Sequence, residues 1–183
     1  MDVVTWTLES HTPPTAPPRP VPAPVRLDRT SAVDPEYARF LYGYVGGAWR
    51  WTDRLDWTRE QWAEELAVPG TVFLLPSADG VPLGYVQLQP VPHDDGVHVE
   101  IRYFGLAAPG LGRGLGGPLL EHAIATAWSL PDAVRVWVHT CDLDGPAARP
   151  NYEARGLVLC DTAHSDEDVP DAPLGAWVST GGR

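Results

Sequence analysis

The densest run of glycine in the chain is GLGRGLGG, Gly110 to Gly117, with Pro118 directly after it. Glycine reaches positive φ at little steric cost, and proline is tolerated in the first turn of a helix. The run therefore reads as a loop whose backbone N–H groups can turn toward an anion at a helix N-terminus. A phosphate-bearing ligand suits that pattern; a bare surface turn is the plainer alternative, although a turn seldom needs so many glycines. Gly112, Gly114 and Gly117 also satisfy the dinucleotide fingerprint G-x-G-x-x-G. Against that reading, the first acidic residue ending the next expected strand is Asp142, later than the roughly 20 residues expected of a ribose ligand. Too little chain remains after it for a doubly wound sheet. Elsewhere, Trp49, Trp51 and Trp57 are interleaved with Arg50 and Arg54, a combination able to hold an aromatic or carboxylated group or, more plainly, to close a core under a loop. Asp94, Asp95, Asp142 and Asp144 lie near expected strand ends and can attract a cation, as carboxylates in the loops of any acidic chain can.

These residues need elements to hold them. Residues 1–9 alternate weakly through Val4, Trp6 and Leu8, and prolines from Pro13 to Pro24 then form a spacer or a surface-hugging arm. A short strand is expected at 25–27. Asp34-Pro35-Glu36 opens a helix with Tyr37, Phe40, Leu41 and Tyr44 on one face, and Thr58 to Gln61 has the capping-box form before Trp62 and Leu66. Three β-rich runs, 71–75, 83–89 and 97–106, are joined by short turns and so are antiparallel neighbours. After the glycine loop, Leu119, Leu120, Ala123, Ile124, Ala127 and Trp128 recur at helical spacing. A buried strand at 134–138, a short helix within 146–156, a strand at 157–160 and a last strand at 174–178 complete the expected order, with no internal repeat.

The 183 residues, 44% of them hydrophobic, suffice for one principal core. Twenty-four acidic against 13 basic residues give a net charge of -11, which repels a phosphate backbone and argues against nucleic acid as a partner. All the basic residues are arginine, so acetylation of its own lysines is not open to this chain. Cys141 and Cys160 are too few for a disulfide framework and lack zinc-site spacing; no metal is expected. Without a signal-like segment or a run of about 18 apolar residues, the expectation is a cytoplasmic protein with no membrane partner.

The strand ending at Leu106 and the loop after it resemble the GNAT superfamily of acyl-CoA-dependent N-acyltransferases. Its motif runs Val-x-Pro-x-x-(Gln/Arg)-Gly-x-Gly-x-(Gly/Ala), with Leu106, Gly112, Gly114 and Gly116 in matching places. Ala108 stands where proline is usual, with Pro109 one residue later, and Leu111 replaces the glutamine or arginine; Arg113 is the candidate to compensate. PNYEARGL, Pro150 to Leu157, is similar to the superfamily's tyrosine-bearing segment, with Leu157 for the usual phenylalanine. The runs VEIRYFGL, WVHTCDLDGPAARPNYEARG and GGAWRWTDRLDW together look like a bacterial branch of that superfamily. The resemblance implies an α/β fold with a mixed, mostly antiparallel twisted sheet and helices on both faces. It would be one domain over 25–183, preceded by an N-terminal segment, 1–24, with its proline-rich arm.

The implied activity is transfer of an acetyl group from acetyl-CoA directly to a primary amine of a small molecule or peptide, in a protein with homodimers frequent among its kin. Glu100 lies six residues before Leu106, at the position of a carboxylate base in several members, and period-two geometry would point both the same way. The plainer role is an ion pair with a nearby arginine. Tyr152 matches the tyrosine that donates a proton to the sulfur of CoA, or else packs in the core. His139 is an alternative base, although a strand-end histidine more often satisfies a neighbouring carbonyl. The Leu106 N–H is the implied partner of the thioester carbonyl. Phe104, Leu106, Leu111, Gly112, Arg113, Gly114, Leu115, Gly116, Gly117 and Asn151 are the implied CoA-binding set, and Trp49, Trp51 and Arg54 the acceptor wall. Neither cysteine is where a nucleophile would meet the thioester. The rivals are a non-catalytic acyl-CoA-binding regulatory module and, third, a dinucleotide enzyme.

Overall fold

The computed structural model describes residues 1–182. The chain forms β1 (Asp2–Ser10), β2 (Arg26–Thr30), α1 (Pro35–Gly46), α2 (Arg59–Leu66), β3 (Val72–Ala78), the two-residue β4 (Val81–Pro82), β5 (Gly84–His93) and β6 (Gly96–Leu106). After the glycine loop come α3 (Gly116–Trp128), β7 (Ala133–Cys141), α4 (Ala148–Glu153), β8 (Val158–Asp166) and α5 (Gly175–Ser179). One sheet runs β2-β3-β5-β6-β7-β1-β8, with β4 beside β3. All its pairings are antiparallel except β6 with β7. This is the mixed, mostly antiparallel α/β architecture expected. Among the described residues no helix is long and apolar enough to cross a membrane.

Local signals start the first two helices as their sequences dictate. The Asp34 carboxylate accepts from the Tyr37 N–H at 2.7 Å, with Pro35 at the first helical position. Thr58 and Gln61 exchange both capping-box bonds at the start of α2. The buried face of α1 is Ala38, Leu41, Tyr42 and Val45. Tyr37 and Phe40, expected on one face with Leu41 and Tyr44, are partly exposed and stack in a column with Tyr44. Both stripes have helical spacing, and Tyr42 gains the contacts that decide between them, lying against Trp51, Trp62 and Tyr103.

Alternation in β5 builds a core on each face of the sheet. Val86 and Leu88 join Ile101, Val136, Val138 and the apolar side of α3 (Leu119, Leu120, Ala123, Ile124, Ala127). Tyr85 and Tyr103 join Tyr42, Val45 and Trp62 of α1 and α2 on the other face.

Two departures from regular pairing in β6 shape the middle of the sheet. Gln87 pairs with Tyr103 and Leu88 with Ile101, leaving Arg102 as an extra, bulged residue. The bulge breaks the period of two. Leu106 packs with the α3-side core, whereas Glu100 sits across from Gln89, whose side chain donates to the Glu65 carbonyl of α2. Glu100 and Leu106 therefore face opposite sides of the sheet, not the same side as uninterrupted alternation predicts. In addition, β6 runs beside β7 only as far as Glu100 opposite Trp137; beyond that point the strands part.

The N-terminal segment belongs to the sheet. β1 lies between β7 and β8 and pairs with both, with Leu8 in the α3-side core and Trp6 against it. The sheet thus unites residues 2–10 with the stretch expected to form the domain by itself. The proline-rich segment hugs the surface: Val21 and Val25 pack on the α3-side core, and Arg19 pairs with Glu121 of α3 at 2.6 Å. The run expected as a last strand is helix α5 instead. Glycines explain the change, because a side chain on Gly43 or Gly47 of the α1 end would collide with the α5 backbone. The Gly175 N–H donates to the Gly47 carbonyl at 2.8 Å, so the run docks on α1 rather than on a strand edge.

Candidate active site

Where β6 and β7 part, a cavity opens on each side of the sheet. The one on the α3 side, about 370 Å³, is lined by Phe104, Leu106, Leu111, Gly116, Gly117, Asn151 and Tyr152 together with the loop 144–148. The one on the α1 side, about 250 Å³, is lined by Glu100, Arg102, Tyr103, His139, Thr140, Cys141, Arg50 and Arg54, among others. Trp49, Trp51, Phe104, Asp144 and Tyr152 border both. The two cavities thus meet at Tyr152 through the opening between the strands.

The α3-side cavity is chiefly backbone work. Gly112 and Gly114 adopt φ of 71° and 67°, the left-handed region that glycine favours, and open space lies where their side chains would be. Gly116 and Gly117 begin α3 and line the cavity, where the positive end of the helix favours a negative group. A side chain on Gly117 would collide with Arg155, whose Nε donates to the Gly117 carbonyl at 3.0 Å. Arg155 also donates to the Asn151 carbonyl, and the Asn151 amide donates to the Gly116 carbonyl, so α4 is tied to the start of α3. A glycine-turned loop ahead of a helix start and a largely apolar cavity reaching Tyr152 fit a ligand with a phosphate end and an apolar arm. Four of the residues expected there are not part of the cavity wall. Leu115 is a core side chain, 1% exposed. Gly112 and Gly114 shape the loop without lining the cavity, and Arg113 folds back to donate to the Pro109 carbonyl at 2.6 Å.

The α1-side cavity is chiefly side-chain work. Arg102 bonds Glu65 through Nε at 2.9 Å and lies 3.4 Å from Glu100. Glu100 is thus both the arginine's partner and a buried carboxylate on the cavity wall, 6% exposed. His139 packs its ring edge to face with Trp137 and keeps solvent access on its other side. Burial holds its pKa below the usual histidine value, with the nearby Glu100 charge opposing the shift. Cys141 is pushed up to about 11 by burial and the Asp144 charge, so it stays a thiol.

Tyr152 is buried against Phe104, and burial with the Asp144 charge holds its phenol far above the usual tyrosine value. Its proton therefore stays in place across the physiological range. Asp144, expected only to attract a cation, organises the wall. It accepts from the Thr140 hydroxyl at 2.7 Å, the Cys141 N–H at 3.2 Å and the Trp51 indole at 3.3 Å. Its signal in the sequence was its place in the CDLDG turn directly after a strand. Nothing in the sequence marked Glu65 as the partner of Arg102. Trp51 packs with Tyr42, Tyr85 and Tyr103, and a side chain on Gly46 or Gly105 would collide with Trp51 or with Val45. Trp57 belongs to the aromatic core beside Trp62. Trp51 is thus both core and cavity wall, and Trp49 and Arg54 line the α1-side cavity as well. Among the described residues no cluster of metal-ligating side chains occurs.

A protein-family model for the GNAT acetyltransferase family matches residues 30–157. A GCN5-related N-acetyltransferase from Kribbella flavida is 20% identical with a TM-score of 0.58, over 88% of this chain and 56% of its own. One from Sphaerobacter thermophilus is 17% identical with a TM-score of 0.54, over 88% and 49%. A probable acetyltransferase is 20% identical with a TM-score of 0.57, over 80% of this chain and 98% of its own. The chain thus spans about half the length of the first two structures and nearly all of the third. No curated protein matches it. With the model covering well over half its length, the chain belongs to the GNAT acetyltransferase family.

Proposed function

We propose that this protein is an N-acetyltransferase that moves an acetyl group from acetyl-CoA directly to a primary amine of a small molecule or peptide. The observation that carries the proposal is the meeting of two cavities at Tyr152, one floored by a glycine-turned helix start and the other lined by a buried carboxylate and an imidazole. Acetyl-CoA supplies an acetyl group already activated as a thioester. Gly116, Gly117 and the loop before them hold the phosphate end, Phe104 and Leu106 line the path of the arm, and the Leu106 N–H polarises the carbonyl.

On the acceptor side, Glu100 takes a proton from the ammonium, directly or through water, or His139 does so. The depressed pKa of His139 favours its neutral, proton-accepting form. Tyr152 donates to the departing sulfur, a role that needs a phenol still protonated at neutral pH. Cys141 lines the acceptor cavity, but its raised pKa leaves little thiolate, which favours transfer within a ternary complex over an acyl-cysteine. One observation favours a second reading. Leu111 is exposed and apolar where the family supplies a polar side chain, as suits a module that binds acyl-CoA without turnover.

The test is CoA release from acetyl-CoA across a panel of primary amines, with Tyr152→Phe alongside. Amine-dependent release, and a loss of about a hundred- to ten-thousandfold in kcat for the variant at unchanged acetyl-CoA affinity, is the expected result. Wild-type kcat in Tyr152→Phe rules out the proton donor, and acetyl-CoA binding with no turnover on any amine selects the non-catalytic reading.

A further inference from the structure

The acceptor cavity carries three guanidinium groups, and they differ in what they already bind. Arg102 is committed to Glu65 and Glu100. Arg50 sits at a left-handed φ of 58°, a conformation uncommon outside glycine, and spends one terminal nitrogen on the Asp171 carbonyl at 2.8 Å. Arg54 lies beside the Tyr42 phenol and has no carboxylate in a two-bond fork. Its guanidinium lies 4.9 Å over the Trp57 ring and 5.6 Å from that of Tyr103. Its nearest carboxylate is Asp53, 3.5 Å away and itself 68% exposed. The Nε atoms of Arg50 and Arg54 are buried without any hydrogen-bond partner.

A buried N–H left unpaired is costly, and a guanidinium is built to give two parallel bonds to a carboxylate. Asp53 meets that need only in part, from 3.5 Å and mostly in solvent, and the other carboxylates around the cavity are engaged elsewhere. Asp144 is taken up by Thr140, Cys141 and Trp51; Glu100 faces Arg102; Glu167 accepts from Ser165. The same cavity has Glu100 and His139 on its wall, so a site for an anion and a site for an ammonium line one space of about 250 Å³. That volume lies below the usual range for drug-sized ligands and suits a small metabolite.

We infer that the acceptor is a small amino acid-like molecule, its carboxylate held by Arg54 against Trp57 and Tyr103 and its amine directed to Glu100 and His139. This rests on the acetyl-transfer reading and narrows it to one class of amine. Arg54 is then a specificity-determining residue: it contacts the part of the acceptor that does not react. A peptide amine lacking a nearby carboxylate would leave the Arg54 guanidinium with Asp53 alone and is a poor acceptor on this account.

The experiment measures kcat/KM for the common L-amino acids, each against its own α-carboxamide, in wild type, Arg54→Gln and Arg54→Lys. Binding of acetyl-CoA and of each probe is followed separately by calorimetry. The expected result is at least one amino acid preferred about a hundredfold over its carboxamide, mainly through KM. Arg54→Gln should bring that preference down to within a few-fold, and Arg54→Lys, which keeps the charge but loses the fork, should leave an intermediate value. Equal use of acids and carboxamides, or a preference that survives Arg54→Gln, overturns the inference while leaving acetyl transfer intact. Binding of acetyl-CoA but of no amino acid also overturns it. Failure to bind acetyl-CoA at all strikes the acetyl-transfer reading instead, and carboxylate binding lost in Arg54→Gln then still identifies the anion site. Unchanged acetyl-CoA binding in the variants shows that they fold, since Arg54 does not border the cavity beside the glycine loop.

Discussion

The two cavities that meet at Tyr152 are built in opposite ways. Beside α3, glycines and a helix start do the shaping, and the side chains that matter act by being absent or by bracing backbone, as Arg155 does for Gly117. Beside α1, the wall is assembled from side chains contributed by β6, β7 and the loop between α1 and α2, with Asp144 and Arg102 as its fasteners. A backbone cradle suits a ligand whose recognised part is a phosphate, common to every acyl-CoA. A side-chain wall can change from one protein to the next without disturbing that cradle, and under the proposed function the choice of acceptor falls to that wall.

That contrast can be broken by substitution on either side. The larger effect is expected at Trp51, which packs against aromatic neighbours and walls the α1-side cavity at once. Trp51→Ala should cost about 3 kcal/mol in denaturant unfolding, the lower end of the range for such truncations because the ring keeps some solvent access. A cost below about 1 kcal/mol would mean that the wall is not continuous with the core.

The smaller effect is expected on the other side, at Glu121, which Arg19 pairs with across α3. The Arg19 hydrogen bond holds the Glu121 carboxyl down at about 2 against an ordinary 4.5. A carboxylate depressed in the folded state gives stability that is present above its unfolded pKa and lost as pH falls through the folded one. Glu121→Gln should therefore lower stability at neutral pH, by at most about 1 kcal/mol given the solvent around Arg19, and the gap to wild type should close between pH 4.5 and about 2. A gap independent of pH would show that the pairs Glu121 makes with Arg19 and Arg155 contribute nothing to stability.

Much of this arrangement was legible in the sequence, and unevenly so. The caps of α1 and α2, the antiparallel run of strands and the glycine loop follow from short-range rules, and all stand where those rules put them. The loop's family likeness carried the fold with it. What escaped depends on partners distant along the chain. A single extra residue at Arg102 reverses the side on which Glu100 lies, and no feature of VEIRYFGL marks a bulge. The place of β1 inside the sheet depends on β7 and β8, more than a hundred residues away. The turn from strand to helix at α5 depends on glycines of α1 that only folding brings beside it. The candidate site divides in the same way: Gly116, Gly117 and the tryptophan-arginine loop stood out by type and spacing, and Tyr152 through the family resemblance of its segment. Asp144 as a fastener and Glu65 as the partner of Arg102 did not, because each acts through a contact made in space.

Whether the glycine-lined cavity takes an acyl-CoA is decided by thermal unfolding with acetyl-CoA, with NADH as the control, because that measurement requires no knowledge of the acceptor. A ligand held at about 100 times its Kd adds roughly 2.7 kcal/mol to the stability of the folded state. Stabilisation of that order by acetyl-CoA and none by NADH is the predicted result. Stabilisation by NADH, or by neither ligand, would contradict the assignment of that cavity to an acyl-CoA.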